Sequence, residues 1–354
     1  MIAPIVKAAH GLIFLTPVLL VMGARLGAFW TLLPIAYVYL FLPLVDELRG
    51  DGPESGPPAP ARLLADAPLL VWVPTQVLTT TWVLQWVAAS YASGWEGLGL
   101  AISLGVMNGS AGINIAHEFM HRKERSSRAI AEGLMTWVSY PHFCIEHVLG
   151  HHRNVATPLD SATSRLGESV YRFYFRSLVG GLRGAWHLER DLLNRAGRRA
   201  WTLSDRRLRY PLVLSTLYVL VAASWGGLGL ALFIAQGVVA FTMLEIVNYL
   251  EHYGLQRRQI EGGRYERVTP RHSWNSNRSI SNAFLFNLAR HSDHHHVASR
   301  PYDELRSVPD APQLPAGYPA MILMALVPPL WFKVMNPRVL VERDGATMVA
   351  EPAA

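Results

Sequence analysis

Between Gly97 and Ala116 the chain carries no charged side chain, and the next residue is His117. A helix of about 20 residues, rising 1.5 Å per residue, matches the roughly 30 Å hydrocarbon core of a bilayer. Five further apolar runs, at about 9–23, 29–45, 67–90, 210–225 and 229–250, repeat the pattern. Only 16% of the 354 residues are charged, while 51% are hydrophobic. A soluble domain carries about 25% charged residues, so the surplus apolar content points to lipid. The expected fold is an all-α integral membrane protein, 1–354 forming one domain, with six transmembrane helices and a histidine-rich cap.

Short turns join the runs in pairs. Arg25 and Gly27 mark the first, Gly94 and Glu96 the second, and Gly226, Gly227 and Gly229 the third. Residues 50–61 form a Pro/Gly-rich loop. The stretch 129–145 is apolar but broken by Glu132, Pro141 and His142, so it reads as an interfacial or re-entrant helix, with a full span as the alternative. Residues 318–332, with Pro319, Pro328 and Pro329, are too short and broken for a span. No small-residue cleavage site follows the first run, which is expected to stay as a span. The loops at 24–28, 91–96 and 226–228 hold one basic residue, Arg25. The segments 46–66, 117–209 and 251–354 hold nearly all the others. Lys and Arg collect on the cytoplasmic side, so both termini and the segments 117–209 and 251–340 are expected there. The same bias accounts for the net charge of +6 without a nucleic-acid partner. The lone Cys144 excludes an internal disulfide and a thiolate-held cluster.

Nine of the 14 histidines fall in four clusters: His117 and His121; His147, His151 and His152; His252; and His291, His294 and His295. On a helix, residues three or four apart share a face, so His117 and His121 are expected to point together, as are His147 and His151, and His291 with His294 and His295. The topology, derived from apolar runs and arginines alone, puts all four clusters on one side of the membrane. Nine imidazoles are too many for one ion and suit two, and a nitrogen-only set suits iron, copper or zinc. His-Glu-x-x-His at 117–121 is also the zinc metalloprotease pattern, with Glu118 as general base. That reading uses about three ligands and leaves the other clusters without a role. A non-enzymatic metal-binding or transport protein is disfavoured, because the histidines gather at one face and do not cross it.

Five motifs extend the pattern: His-Glu-Phe-Met-His-Arg (117–122), Glu-His-Val-Leu-Gly-His-His-Arg-Asn-Val-Ala-Thr-Pro (146–158), Asn-Tyr-Leu-Glu-His-Tyr-Gly-Leu (248–255), His-Ser-Trp-Asn-Ser-Asn (272–277) and Arg-His-Ser-Asp-His-His (290–295). With these, the chain from about 40 to 340 resembles the membrane-bound alkane 1-monooxygenases, and behind them the xylene and cymene methyl-group monooxygenases. The resemblance implies a non-haem di-iron centre, two iron ions held by the nine histidines, that uses O2 to turn a terminal methyl group into an alcohol. Arg122 stands where many members carry lysine. His296 stands where a small residue is expected, and is not counted as a ligand. His142 reads as structural, and His10 and His187 as non-ligands. Glu118, Glu146, Glu251 and Asp293 are candidates for accepting the outer N–H of a ligand imidazole, and His272 for supporting the site. Asp46 closes a Pro-Leu-Val-Asp pattern that the family shares.

The substrate implied is an n-alkane dissolved in the bilayer, with methyl groups on aromatics or terpenes as the alternative. In the family, the position eight residues before that aspartate is associated with a stop for the alkyl chain. Here it is Val38, a small residue, which predicts tolerance of longer chains. Tyr39 and Phe41, with Tyr37, are the other channel candidates. The chain has no flavin or nucleotide motif, and one cysteine cannot build a rubredoxin. The resemblance therefore implies a separate rubredoxin and its NAD(P)H-dependent reductase, and a bacterial inner membrane. Arg195, Arg198, Arg199, Arg206, Arg207 and Arg209 could steer an acidic partner, although the positive-inside bias accounts for much of that charge.

Overall fold

Gly27 sits at φ 69°, ψ −169°, a region that only glycine enters without strain, and it turns the first apolar helix back along the second. The computed structural model describes residues 10–54 and 62–348. Ala9 of the first run and residues 55–61 of the Pro/Gly-rich loop lie outside the described residues. The described elements are helical, and the β pairing among them is limited to three isolated bridges.

Helices α1 (His10–Leu26), α2 (Ala28–Arg49), α3 (Arg62–Ala88) and α4 (Gly94–Met120) follow the first four apolar runs. Next come α5 (Arg125–Trp137), α6 (143–154) and α7 (Val170–Arg195). The 47-residue helix α8 (Arg206–His252) breaks at Gly226, where φ is 68° and ψ −172°. In a straight helix Tyr218 and Phe233 would stand about 22 Å apart. Their ring centroids are 6.3 Å apart, so the arms 206–225 and 227–252 form a hairpin. Short helices α9 (Ser279–Phe284) and α10 (His291–His296) precede α11 (Tyr318–Ala325) and α12 (Pro328–Met348). Four helices, α2, α3, α4 and α8, are long and apolar enough to cross a membrane, and a fifth span is counted if α11 and α12, bent by 119°, act as one. α5 has 13 residues, about 20 Å of helix, which is too short to cross.

Three turns meet at one end of the bundle. Ser93 and Glu96 form a reciprocal capping box at the start of α4, and Glu96 Oε1 also accepts the Ala28 N–H at 2.6 Å. Trp225 donates to Gln85 at 3.2 Å, which brings the α8 hairpin beside the end of α3. The histidine-bearing ends of α4 and α8 point the other way. α4 is the central helix and the most deeply buried of the four. It lies hard against α8: a Cβ on Gly105 would come within 2.5 Å of Val239, and Asn108 donates to Gln236 at 2.8 Å. The arginine-rich segment that follows α6 contains more than polar surface. α7 exposes a stripe of Tyr171, Phe175, Val179, Leu182 and Trp186, at the spacing of one helix face.

Candidate metal centre

The helix geometry decides where each imidazole points. His117 and His121 lie four apart at the end of α4 and share a face, with ring centroids 4.9 Å apart. Within α6, residues His147–His151 form a π-turn. Its i→i+5 bonding brings His152, not His151, round to the side of His147: His152 Nε2 lies 3.1 Å from His147 Nε2. The rings of His147 and His151 do stack, 5.2 Å apart, as their spacing predicts, yet the two belong to different groups of nitrogens. On α10, His291 and His295 meet at 2.9 Å between Nε2 atoms. His294 is turned away, its Nε2 3.1 Å from that of His152.

The nine histidines thus sort into two groups. His117, His121, His147, His152 and His294 form one, and His151, His252, His291 and His295 the other; within each group the nitrogens lie within 4.8 Å of one another. The Nε2 atoms face inward, at 2.8 Å for His117–His147 and 3.1 Å for His147–His121. In the second group they stand at 3.2 Å for His151–His295 and 3.3 Å for His291–His252.

These residues fit a metal. Burial, with help from neighbouring imidazoles, pushes the pKa values of His147, His152, His291, His294 and His295 well down, and that of His121 to about 3, so these rings are neutral at pH 7. A neutral imidazole has one N–H and one lone pair. His151 Nδ1 lies 2.9 Å from the Asp160 carboxylate, which places the proton on Nδ1 and leaves the Nε2 lone pair facing inward. The Nδ1 atoms of His147, His291 and His295 are buried without a hydrogen-bond partner among the described residues. Inward lone pairs that cannot satisfy one another are the donor set for a cation.

The fatty acid desaturase family matches residues 93–324. The chain is 40% identical to the alkane 1-monooxygenase of Pseudomonas putida, over 89% of this chain and 79% of the relative. It is also 40% identical to alkane 1-monooxygenase 2 of Pseudomonas aeruginosa, over 88% and 84%. The chain belongs to the alkane 1-monooxygenase family. A xylene/toluene monooxygenase hydroxylase component of Pseudomonas putida is more distant, 33% identical over 67% of this chain and 63% of that one.

In this alkane 1-monooxygenase family member the acids beside the histidines are placed differently from expectation. Glu118 does not back an imidazole; it bonds Arg122 at 3.0 Å, Arg62 at 3.4 Å and the Tyr302 N–H at 3.1 Å. Bound in this way it cannot serve as the general base of a metalloprotease. Asp293 pairs with Arg300 and accepts the Arg306 N–H at 2.9 Å. Glu146 is buried beside Gly150 and Gly184, and burial with the nearby Asp160 pushes its pKa up to about 8. Glu251 Oε1 accepts from Tyr318 at 2.9 Å, and its Oε2 lies 3.2 Å from His291 Nε2, the inward nitrogen. Asp46 is 1% exposed and caps α9, accepting the Ile280 and Ser281 N–H groups at 2.8 and 3.0 Å and the Ser281 hydroxyl. The His272 ring turns to Thr269 and Glu266; its carbonyl oxygen, 3.4 Å from His252 Nδ1, is what approaches the site.

Asp160 is the residue that sequence reasoning missed. It is held by the Thr163 hydroxyl at 2.6 Å and the Ala162 N–H at 3.1 Å. Burial lowers the pKa of His151, but Asp160, with Glu146 and Glu251, outweighs it and the net shift is upward. The signal was the Asp-Ser-Ala-Thr turn nine residues after His151. Of the histidines set aside as non-ligands, His10 is buried and bonded to the Ala283 carbonyl at 2.8 Å, while His187 and His296 are exposed. Three of the six arginines named for steering are tied to acids: Arg206 to Glu189, Arg207 to Asp205 and Arg209 to Glu132.

An apolar cavity adjoins the centre. Val38, Ser110, Ile113, Met243, Phe284 and Ile322 are in its wall, and His117, His147, His291 and Glu251 line it as well. Of the four channel candidates, Val38 alone lines it. Phe41 is 53% exposed on the outside of α2, and Tyr39 packs between the two apolar cores. The π-turn at Tyr37–Phe41 is the cause: with i→i+5 bonding, a residue three places on falls off the face of Val38.

Proposed function

We propose that this protein hydroxylates the terminal methyl group of medium-to-long n-alkanes, taking O2, two electrons and two protons to yield a 1-alkanol and water. One observation carries the reading: a cavity whose walls are apolar side chains of a membrane bundle is lined by inward-facing imidazoles of both groups. Iron held by His117, His121, His147, His152 and His294, and by His151, His252, His291 and His295, supplies the O2 activation. The chain's own part is positional. Apolar walls take an alkyl chain out of the lipid and exclude water from the reacting end. The inward Nε2 lone pairs bind, and Asp160 fixes the tautomer of His151.

In this reading α1 to α4 and the two arms of α8 make six spans of a bacterial inner membrane protein, with the histidine end and both termini in the cytoplasm. The grouping of the three short turns at the far end of the bundle supports that arrangement. Reduced rubredoxin, recharged by an NAD(P)H-dependent reductase, delivers the electrons. The test is purified protein in lipid nanodiscs with octane, O2, rubredoxin, reductase and NADPH. Formation of 1-octanol by iron-loaded protein, absent from iron-free protein, is the expected result. Turnover of p-xylene in preference to octane would move the methyl-aromatic alternative to the front.

A further inference from the structure

The two histidine groups differ in their surroundings. All four members of the smaller group are buried, whereas His121 and His152 of the larger are partly exposed. The acids differ more. Glu118 and Asp293, each next to a histidine of the five-membered group, are neutralised by arginines. Asp160 and Glu251 are not: their partners are Thr163, Ala162 and His151 for the first, and Tyr318 and His291 for the second. Both act on the four-membered group. Asp160 bonds the outer nitrogen of His151 at 2.9 Å. Glu251 presents Oε2 3.2 Å from the inward nitrogen of His291, within the 2.9–3.3 Å spacing of the imidazole nitrogens of that group.

We propose that Asp160 and Glu251 make the four-histidine group the tighter-holding half of the centre, so that the two ions leave the protein separately, the five-histidine group losing its ion first. The proposal rests on the two-metal reading above. A carboxylate behind a ligating histidine typically changes metal affinity 10–100-fold, and Glu251 Oε2, turned toward the inward nitrogens, sets an oxygen donor beside the four imidazoles. Nothing comparable acts on the five-histidine group among the described residues.

The test is a chelator challenge of purified iron-loaded protein, with a water-soluble ferrous chelator in excess and iron loss followed by colour. The expected result is two phases of equal amplitude. Asp160→Asn keeps the shape of the side chain and removes its charge, and should speed the slow phase by about 10–100-fold while the fast phase is unchanged. Glu251→Gln, on α8 and not in the 160–163 turn, should do the same. Mössbauer spectra of each variant loaded with the iron-57 isotope should show one of two quadrupole doublets displaced. Loss of both ions in a single phase, or a change confined to the fast phase in the variants, overturns the proposal. Protein that never holds two irons before chelator is added overturns the two-metal reading itself, and the metal count shows this first.

Discussion

Val38→Trp should shorten the range of alkanes that the enzyme accepts. Val38 is 2% exposed and stands in the wall of the cavity that His117, His147 and His291 also line, so a larger side chain has nowhere to go but inward. An indole takes the space of about three methylenes, and at ~0.8 kcal/mol for each buried methylene the loss for a chain that needs that space is roughly 2.4 kcal/mol. That is about sixtyfold in kcat/KM. The assay compares octane with hexadecane in nanodiscs, with iron content measured to confirm an intact centre. Hexadecane turnover should collapse while that of the shorter chain survives. Phe41→Trp, on the outer face of the same helix, should change neither. Equal losses on both substrates in Val38→Trp, or a selective loss in Phe41→Trp, would refute the reasoning, because the alkyl chain would then not run past Val38.

Four further outcomes are expected. His252→Ala should lower iron content by about one ion per chain, measured by elemental analysis, because its group loses a donor. Asp46→Ala leaves a part-buried N–H, a buried N–H and a buried hydroxyl without an acceptor; at about 1–3 kcal/mol for each unsatisfied group the cost is at least ~3 kcal/mol, visible as a lower thermal midpoint. Gly226→Ala forces a side chain into a backbone region open to glycine alone, at about 1–3 kcal/mol, and should lower the same midpoint without altering metal content. On acidification, iron should persist below pH ~6.5, the ordinary titration point of histidine. The buried rings on α6 and α10 are held neutral by depressed pKa values, and protons displace a metal only once they can compete for those lone pairs.

The histidines were legible because nothing else explains nine of them in four clusters on one side of the expected topology, and the turns at Gly27 and Gly226 because glycine punctuates helices for a known steric reason. The division of the histidines was not legible. It depends on whether the backbone at 147–151 bonds i→i+4 or i→i+5, and the side chains of that stretch do not announce which. The acids misled for a different reason. Glu118 sits one residue from His117, yet its partners include Arg62 and the backbone of Tyr302, which proximity in sequence cannot reveal. Asp160 was overlooked through the same bias toward neighbours. Phe41 and Val38 were grouped by adjacency, and the turn of the helix separated them.

Three π-turns, at Tyr37–Phe41, Asn108–Gly112 and His147–His151, all touch the cavity, through Val38, through Gly109 and Ser110, and through His147. Each is in effect a one-residue insertion absorbed within an α-helix: five residues cover about the turn that four cover elsewhere, so losing one there restores the α-helix and leaves what lies beyond on nearly its present face. At 108–112 such a loss would alter the cavity wall at Gly109 and Ser110 while His117 and His121 kept their common face. At 37–41 the same loss would change which side chain of the turn stands beside the alkyl chain, where Val38 stands now. Changes of length in that turn therefore give this scaffold a route to new substrates that point substitutions do not.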